Sequence, residues 1–277
     1  MNKKVFIINL LSVIIIILIL ETLVNLFNLS GLKGIDSGLL KKDIDEIHQF
    51  SPNSSGKIFG KKIFIDKYGL RVPSNKFKYN LNNDSIYFIG DSTAFGNGIE
   101  EDKTFVGLLR KNFPDLNFYN NSVPGYNIIH HQKNLKKIDK FDNIKKVFYI
   151  MTLNDIYAGP SIQTIKNVKN TEVRREAMGI ENINLIKKIN AFLRSKSYLY
   201  MYAKGKIYDP SKRYFLSILS YYETGDLKQI NSFADILNKK MSDKNIDLTI
   251  VLLPYEYQTR TCEDKNLLPQ YKILKIF

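Results

Sequence analysis

The chain has little of several residue types, and each scarcity excludes something. One cysteine, Cys262, in 277 residues forbids an internal disulfide and any multi-cysteine zinc or iron–sulfur centre. It leaves the redox compartment open, because a one-cysteine chain folds equally well in either. Histidine is limited to His48, His130 and His131, and arginine to 7 residues against 34 lysines. Arginine is the residue suited to two-pronged phosphate recognition, and here the basic residues are scattered rather than gathered in a stripe. The net charge of +14 therefore does not indicate a nucleic-acid partner. It fits a solvated lysine-rich surface, with weak attraction to anionic membranes or polysaccharides as the alternative. With only 15 glycines and 8 prolines the chain is not collagen-like or linker material, and 44% hydrophobic and 12% aromatic content excludes a disordered polymer. The length suits one sizeable core with a short anchor.

After a short head, residues 1–4, comes the strongest large-scale feature, residues 5–27, VFIINLLSVIIIILILETLVNLF. As a helix this run spans roughly 34 Å, enough for a hydrocarbon core. Its one charge, Glu21, falls near the far end, where it can reach the interface. A cleaved signal peptide is the competing reading. The apolar run exceeds a usual signal core, however, and no small-x-small pattern follows before Lys33. A single transmembrane anchor in the lipid bilayer is therefore expected. Lys3 and Lys4 on one side nearly balance Lys33, Lys41 and Lys42 on the other. A four-residue head is easily retained in the cytoplasm, so the large domain is expected outside.

Residues 28–80 read as a loose connector and lead-in, with Gly31, Gly34, Gly38, a Ser/Pro/Asn-rich stretch at 51–56, and a strand or two around 62–65. The domain proper, 81–277, alternates strands with helices. Apolar runs at 85–89, 116–119, 147–151 and 247–253 read as strands. Residues 103–112, with Phe105, Leu108 and Leu109 on one face, then 128–138 and 226–243, read as helices, with a partly helical middle at 156–225. Nearly all-apolar strands separated by helices indicate a parallel sheet covered on both faces. In such sheets the chemistry sits in loops at the carboxyl ends of the strands.

Those loops carry three items that acyl transfer needs. The first, Ile89-Gly90-Asp91-Ser92-Thr93-Ala94-Phe95-Gly96, offers Ser92 as a hydroxyl nucleophile at a strand-to-helix turn, where backbone N–H groups can stabilise an anion. Asp91 shapes that turn through local hydrogen bonds. The second, Asn120-Asn121-Ser122-Val123-Pro124-Gly125-Tyr126, offers the unobstructed N–H of Gly125. The third, Met151-Thr152-Leu153-Asn154-Asp155, offers the Asn154 amide. With the Ser92 N–H these make a three-donor oxyanion hole. Each item is weak alone; three in order at successive strand ends are much less so.

Here the sequence resembles the SGNH, or GDSL-type, hydrolases. Gly90-Asp91-Ser92 with Gly96 and Gly98 is similar to the first block of that family, Ser122–Tyr126 to the second, and Leu153-Asn154-Asp155 to the third. Thr152 stands where the family usually has glycine. Asp66-Lys67-Tyr68-Gly69-Leu70-Arg71 resembles the lead-in of membrane-anchored members. The resemblance implies an α/β, flavodoxin-like three-layer α/β/α sandwich. It also implies ester hydrolysis or acyl transfer, often on cell-surface carbohydrate, with Ser92 as nucleophile, Gly125 and Asn154 as oxyanion donors, and no cofactor or metal.

The family's base is a histidine in a C-terminal Asp-x-x-His block, which this sequence does not contain. His130 and His131 fall about a turn beyond Gly125, on a surface or packing face rather than at Ser92, and His48 lies in the connector. Without a base, serine is a poor nucleophile. Three explanations stand: a truncated record, a member that binds ligand without turnover, or a base from elsewhere, such as Asp155 or Glu256. The function expected is a serine-dependent esterase or deacetylase, with a non-catalytic glycan-binding surface protein or an O-acyltransferase as the alternatives. After the last strand, Gln258 and Arg260 are candidate substrate contacts, with a polar surface loop as the alternative. The tyrosines at 198–202 and 221–222 form either an aromatic patch, facing carbohydrate or the membrane interface, or helix packing.

Overall fold

The computed structural model describes residues 3–27, 29, 34–42, 47–156, 189–190, 192–193, 196–207, 209, 211–212, 214–216, 228–261 and 264–275. The tyrosines at 221–222 and Cys262 lie outside the described residues, as does most of the expected helical middle. The chain divides into two compact units, Met1–Gly34 with Pro160–Pro210, and Ile35–Gly159 with Ser211–Phe277.

In the first unit, Lys3–Leu26 is one helix, long and apolar enough to cross a membrane or serve as a signal anchor. Its isoleucines and leucines are apolar on every face, and no glycine or proline interrupts them. Ser12 and Thr22 donate their hydroxyls to the carbonyls of Ile8 and Leu18, at 2.9 and 2.8 Å. These two hydroxyls are thus satisfied within the helix, as a lipid environment would require. Glu21 does more than reach toward an interface. Its carboxylate accepts the Ser197 hydroxyl at 2.7 Å and the N–H groups of Tyr198 and Leu199 at 2.5 and 3.1 Å. It thereby caps the start of helix Tyr198–Ile207. In that helix the Lys204 and Lys206 ammonium groups lie over the Tyr200 and Tyr202 rings.

The second unit is mixed α/β, built on a seven-stranded, mostly parallel sheet. A two-stranded ribbon, β1 Leu40–Lys42 with β2 His48–Phe50, precedes it. The strands of the sheet are β3 Ser55–Ile58, β4 Lys61–Ile65, β5 Arg71–Val72, β6 Ser85–Gly90, β7 Asn117–Ser122, β8 Ile144–Met151 and β9 Asp247–Leu252. Their order is β3-β4-β5-β7-β6-β8-β9. The block β7-β6-β8-β9 is parallel, and β3, β4 and β5 extend it in antiparallel fashion. Residues 28–80 are therefore more than a connector, since part of that stretch supplies three strands of the sheet that carries the candidate site. From β6 the chain moves to β7 on one side and then crosses to β8 and β9 on the other. The switch in direction beside β6 leaves a crevice at the strand ends, the usual ligand position in open α/β sheets.

Strand periodicity sorts the side chains to two faces. Tyr87, Ile89, Val147, Tyr149 and Met151 pack with Ile128, Phe233 and Leu237, the last two from helix Lys228–Asp243. Phe88, Phe118 and Ile150 pack on the opposite face with Ala94, Val106 and the partly buried Phe105 and Leu109. Each such large apolar side chain contributes about 1.5–3 kcal/mol of transfer free energy.

The helix expected at 103–112 begins later, at Phe105. Thr104 caps it by accepting the Gly107 N–H on its hydroxyl at 3.0 Å, and a 3₁₀ turn, Glu101–Lys103, precedes it. Val106 and Gly107 are buried, with Phe105 and Leu109 partly buried against the same cluster, while the expected Leu108 is exposed. Position 107 has to be glycine, because a side chain there would collide with the Glu101 carbonyl. The stretch 128–138 likewise divides, into helix Ile128–Asn134 and a 3₁₀ segment, Leu135–Lys140.

Candidate active site

Three strand-end loops meet beside β6. Gly90 ends β6 aligned with Ser122 of β7 and Ile150 of β8. It must be glycine here, because a Cβ would lie 2.4 Å from the Ala94 Cβ and 2.9 Å from the Ile150 carbonyl oxygen. Past it, Asp91 caps a one-turn helix, Ser92–Phe95, by accepting the Thr93 N–H at 2.8 Å. Four residues add little macrodipole, so local N–H groups, rather than the expected helix end, are what this turn offers an anion.

The Asp91 side chain joins the first loop to the third. Its Oδ2 accepts the Ser92 hydroxyl at 3.4 Å and the Asn154 amide at 2.9 Å, and the Thr152 hydroxyl oxygen lies 3.2 Å from it. Ser92 Oγ and Asn154 Nδ2 therefore lie against the same oxygen. Asn154 cannot flip without loss. Its Oδ1 is 2.6 Å from both the Thr152 and Tyr255 hydroxyls, and its N–H donates to the Tyr255 oxygen at 3.0 Å. These contacts hold the amide with Nδ2 toward Asp91, and one of its two N–H bonds remains for another acceptor. Thr152 is thus part of the network that orients Asn154.

The second loop joins through packing. Phe95 is fully buried in one cluster with Val123 and Tyr126, and the Val123 N–H donates to the Gly90 carbonyl at 3.0 Å. Gly125 adopts φ of +81°, a left-handed conformation that favours glycine. His48, expected in a connector, anchors this loop. Its Nε2 lies 2.8 Å from the Pro124 carbonyl, which only accepts, so Nε2 carries the proton. The Tyr126 hydroxyl donates back to the His48 carbonyl at 2.7 Å. Among the described residues no protein acceptor engages the N–H of Ser92 or Gly125.

Arg71 is the support that sequence reasoning did not assign. It is completely buried, and it donates to the carbonyls of Phe95, Gly96 and Ile99 at 2.7, 2.9 and 2.6 Å while pairing with Glu101 at 3.1 Å. Arg110 pairs with the same carboxylate and donates to the Phe118 carbonyl. The segment that follows Ser92 is therefore held by a guanidinium fork from β5.

None of the weighed base candidates contacts Ser92. His131 and Asp155 are both fully buried and 3.6 Å apart, beyond a hydrogen bond. Burial pushes His131 down to about 4. Burial, with the Asp91 charge behind it, pushes Asp155 well above the usual carboxylate range. A pair without a hydrogen bond does not repay the desolvation of two charges, so both stay neutral. Asp155 instead accepts the Tyr149 hydroxyl at 3.2 Å. His130 faces its own helix start, where Nδ1 accepts the Asn127 N–H at 3.3 Å in a capping box. Glu256 is exposed and paired with Arg260 at 2.9 Å, which leaves Arg260 on the surface. Gln258, weighed as a substrate contact, is buried. Its amide accepts the Tyr255 N–H and pairs reciprocally with Gln270. The residue of this segment that reaches the site is Tyr255. Burial, above all, raises its hydroxyl well beyond the ordinary phenol range, so it remains a donor.

Among the described residues no cluster of three or more potential metal ligands occurs. No protein-family model matches the chain, and no curated protein matches it significantly.

Proposed function

We propose that the second unit is a flavodoxin-like α/β/α sandwich of SGNH type that binds an ester carbonyl at Ser92. Acyl or acetyl esters, including those of cell-surface carbohydrate, are the substrate class. The observation that carries this reading is the Asp91 carboxylate, which brings the Ser92 hydroxyl and the Asn154 amide onto one oxygen at the switch point of the sheet. An ester placed there meets a nucleophile. On this reading its oxyanion donors are the second N–H of Asn154 and the unengaged N–H groups of Ser92 and Gly125. Attack forms the Ser Oγ–carbon bond, places negative charge on the former carbonyl oxygen, and expels the alcohol as the acyl C–O bond breaks. The serine proton has to leave at the same time. Asp91 Oδ2, already accepting the Asn154 amide, is a poor receiver, and none of the three histidines hydrogen-bonds Ser92. Turnover by this chain is expected to be slow, the residual rate of an oxyanion hole without its base.

That missing contact favours a second reading, a surface protein that binds acylated glycans without cleaving them. An O-acyltransferase would use the same site, with a sugar hydroxyl in place of water. The N-terminal helix would hold the domain at a membrane, on the extracytoplasmic side.

Hydrolysis of p-nitrophenyl acetate by the full chain in detergent, compared with Ser92→Ala, separates these readings. A rate above buffer that Ser92→Ala abolishes supports the esterase. A flat response, together with retained binding of an acetylated sugar, supports the binding protein. Acetyl transfer to an added sugar identifies the transferase.

A further inference from the structure

A cavity of about 610 Å³ opens at the other end of the sheet. Ser85, the first residue of β6, lines it, whereas Ser92 follows the last residue of that strand. Six strand residues put the two sites roughly 20 Å apart. The acyl chemistry uses nothing in this cavity, whose volume falls within the range of about 300–1,000 Å³ typical of small-molecule sites.

Three features of the lining define what it would take. The first is the set of rings. Phe77 and Tyr79 meet at 89°, Tyr79 and Tyr119 at 55°, Tyr119 and Phe141 at 39°, and Tyr68 and Phe141 at 62°. Inclined rings do not form a slot for a flat heteroaromatic ligand. They present π faces at several angles, which suits the C–H bonds of a puckered ring. The second is charge. Lys67, Lys78 and Lys140 line the cavity against Asp66 and Asp142, a balance of three cations to two carboxylates; Arg110, over the Phe77 ring, is already paired with Glu101. This positive balance disfavours a cationic ligand, such as the quaternary ammonium that an aromatic cage might otherwise hold. It favours an anion. The third is an unmet acceptor. Asp66 uses Oδ1 on the N–H groups of Tyr68 and Leu70 at 2.8 and 2.9 Å, while its buried Oδ2 has no hydrogen-bond partner. A buried acceptor left unpaired is costly, and a ligand hydroxyl would recover that cost. Asn53 and Asn75 add neutral amides for further hydroxyls.

We infer that this cavity binds an acidic saccharide. Its ring C–H faces rest on Phe77, Tyr79 and Phe141, its hydroxyls on Asp66 and the asparagines, and its carboxylate on the lysines. The site stands independently of the ester reading, and it gives the domain a hold on glycan remote from Ser92.

The test titrates the full chain in detergent with digalacturonate, cellobiose, choline and adenosine monophosphate, followed by calorimetry or ligand-observed NMR. Digalacturonate is expected to bind about tenfold tighter than cellobiose, a difference of about 1.4 kcal/mol. Its affinity should fall as salt rises from about 0.05 to 0.3 M. The exposed pair Lys78→Glu and Lys140→Glu should weaken it about tenfold or more with the thermal midpoint unchanged. Phe77→Ala should weaken both sugars, and Ser92→Ala should leave binding as it was. No digalacturonate binding up to about 10 mM, binding indifferent to these variants, or preference for choline or the nucleotide would each overturn the inference. Because Ser92→Ala separates the two sites, failure here leaves the ester reading intact, and the reverse.

Discussion

Replacing Arg71 with methionine tests whether the turn carrying Ser92 is held by a buried guanidinium. The change keeps much of the side-chain volume but removes three charge-assisted donations to the carbonyls of Phe95, Gly96 and Ile99. It also leaves the Glu101 carboxylate, which is largely buried, with Arg110 as its remaining ionic partner. Breaking one side of a buried ion pair costs about 3–5 kcal/mol, and the lost carbonyl bonds overlap with that figure rather than adding to it. A loss of about 4 kcal/mol is a large part of the roughly 5–15 kcal/mol that holds a domain together. With a urea slope of about 2 kcal/mol per molar, the midpoint should drop by about 2 M. The chain has no tryptophan, so tyrosine fluorescence and far-ultraviolet circular dichroism are the probes, on the detergent-solubilised full chain. Adding Glu101→Gln should recover nothing and cost about a further 1–3 kcal/mol, because it takes from the largely buried Arg110 the carboxylate that remained to it. A single-mutant loss below about 0.5 kcal/mol, or a double mutant more stable than Arg71→Met alone, would refute the reasoning.

Three further outcomes are expected. A serine-directed fluorophosphonate should label the protein weakly at Ser92, and Ser92→Ala should remove the label while shifting stability by less than about 0.5 kcal/mol, because its one side-chain contact is a long one. Tyr255→Phe removes the hydroxyl that orients Asn154, so labelling should fall about tenfold at a stability cost of about 1–2 kcal/mol, read by labelling rate and urea midpoint. His130, pushed down to about 4 mainly by burial and then by His48, is neutral in the fold, where Nδ1 accepts the Asn127 N–H. Its contribution is complete above the unfolded value near 6.5 and is lost as pH falls from there to about 4, with a slope no steeper than about 1.4 kcal/mol per pH unit. His130→Gln keeps the capping acceptor without a titrating group, so the difference between the two proteins' stability–pH curves isolates this effect from Asp155, whose upward shift acts in the opposite sense.

Legibility in the sequence follows the range of the interactions. The membrane-length helix, strands β6, β8 and β9, and the order of the three loops are written in runs of apolar residues and in turn residues a few positions apart, because burial on both sheet faces demands them. Strand β7 was seen only in part, since Asn120, Asn121 and Ser122 look like loop yet are buried, with Asn120 accepting the Ser122 N–H and donating to the Ala94 carbonyl. The short strands β3 to β5 gave no more than a hint, because their pairing is set by partners elsewhere in the sheet.

Local pattern alone thus determined an N-terminal helix long and apolar enough to cross a membrane, an alternating α/β domain, and Ser92, Gly125 and Asn154 as residues at strand ends. Tertiary structure alone decided that Arg71 grips the chain after Ser92, that Thr152 and Tyr255 orient Asn154, and that His48 holds the Gly125 loop. It also turned the three histidines to packing and capping rather than to the serine. The physical reason is distance along the chain. Periodicity and turn chemistry act between neighbours, whereas Tyr255 meets a residue 101 positions away and His48 one 76 away. Such contacts come into being only when the sheet has assembled.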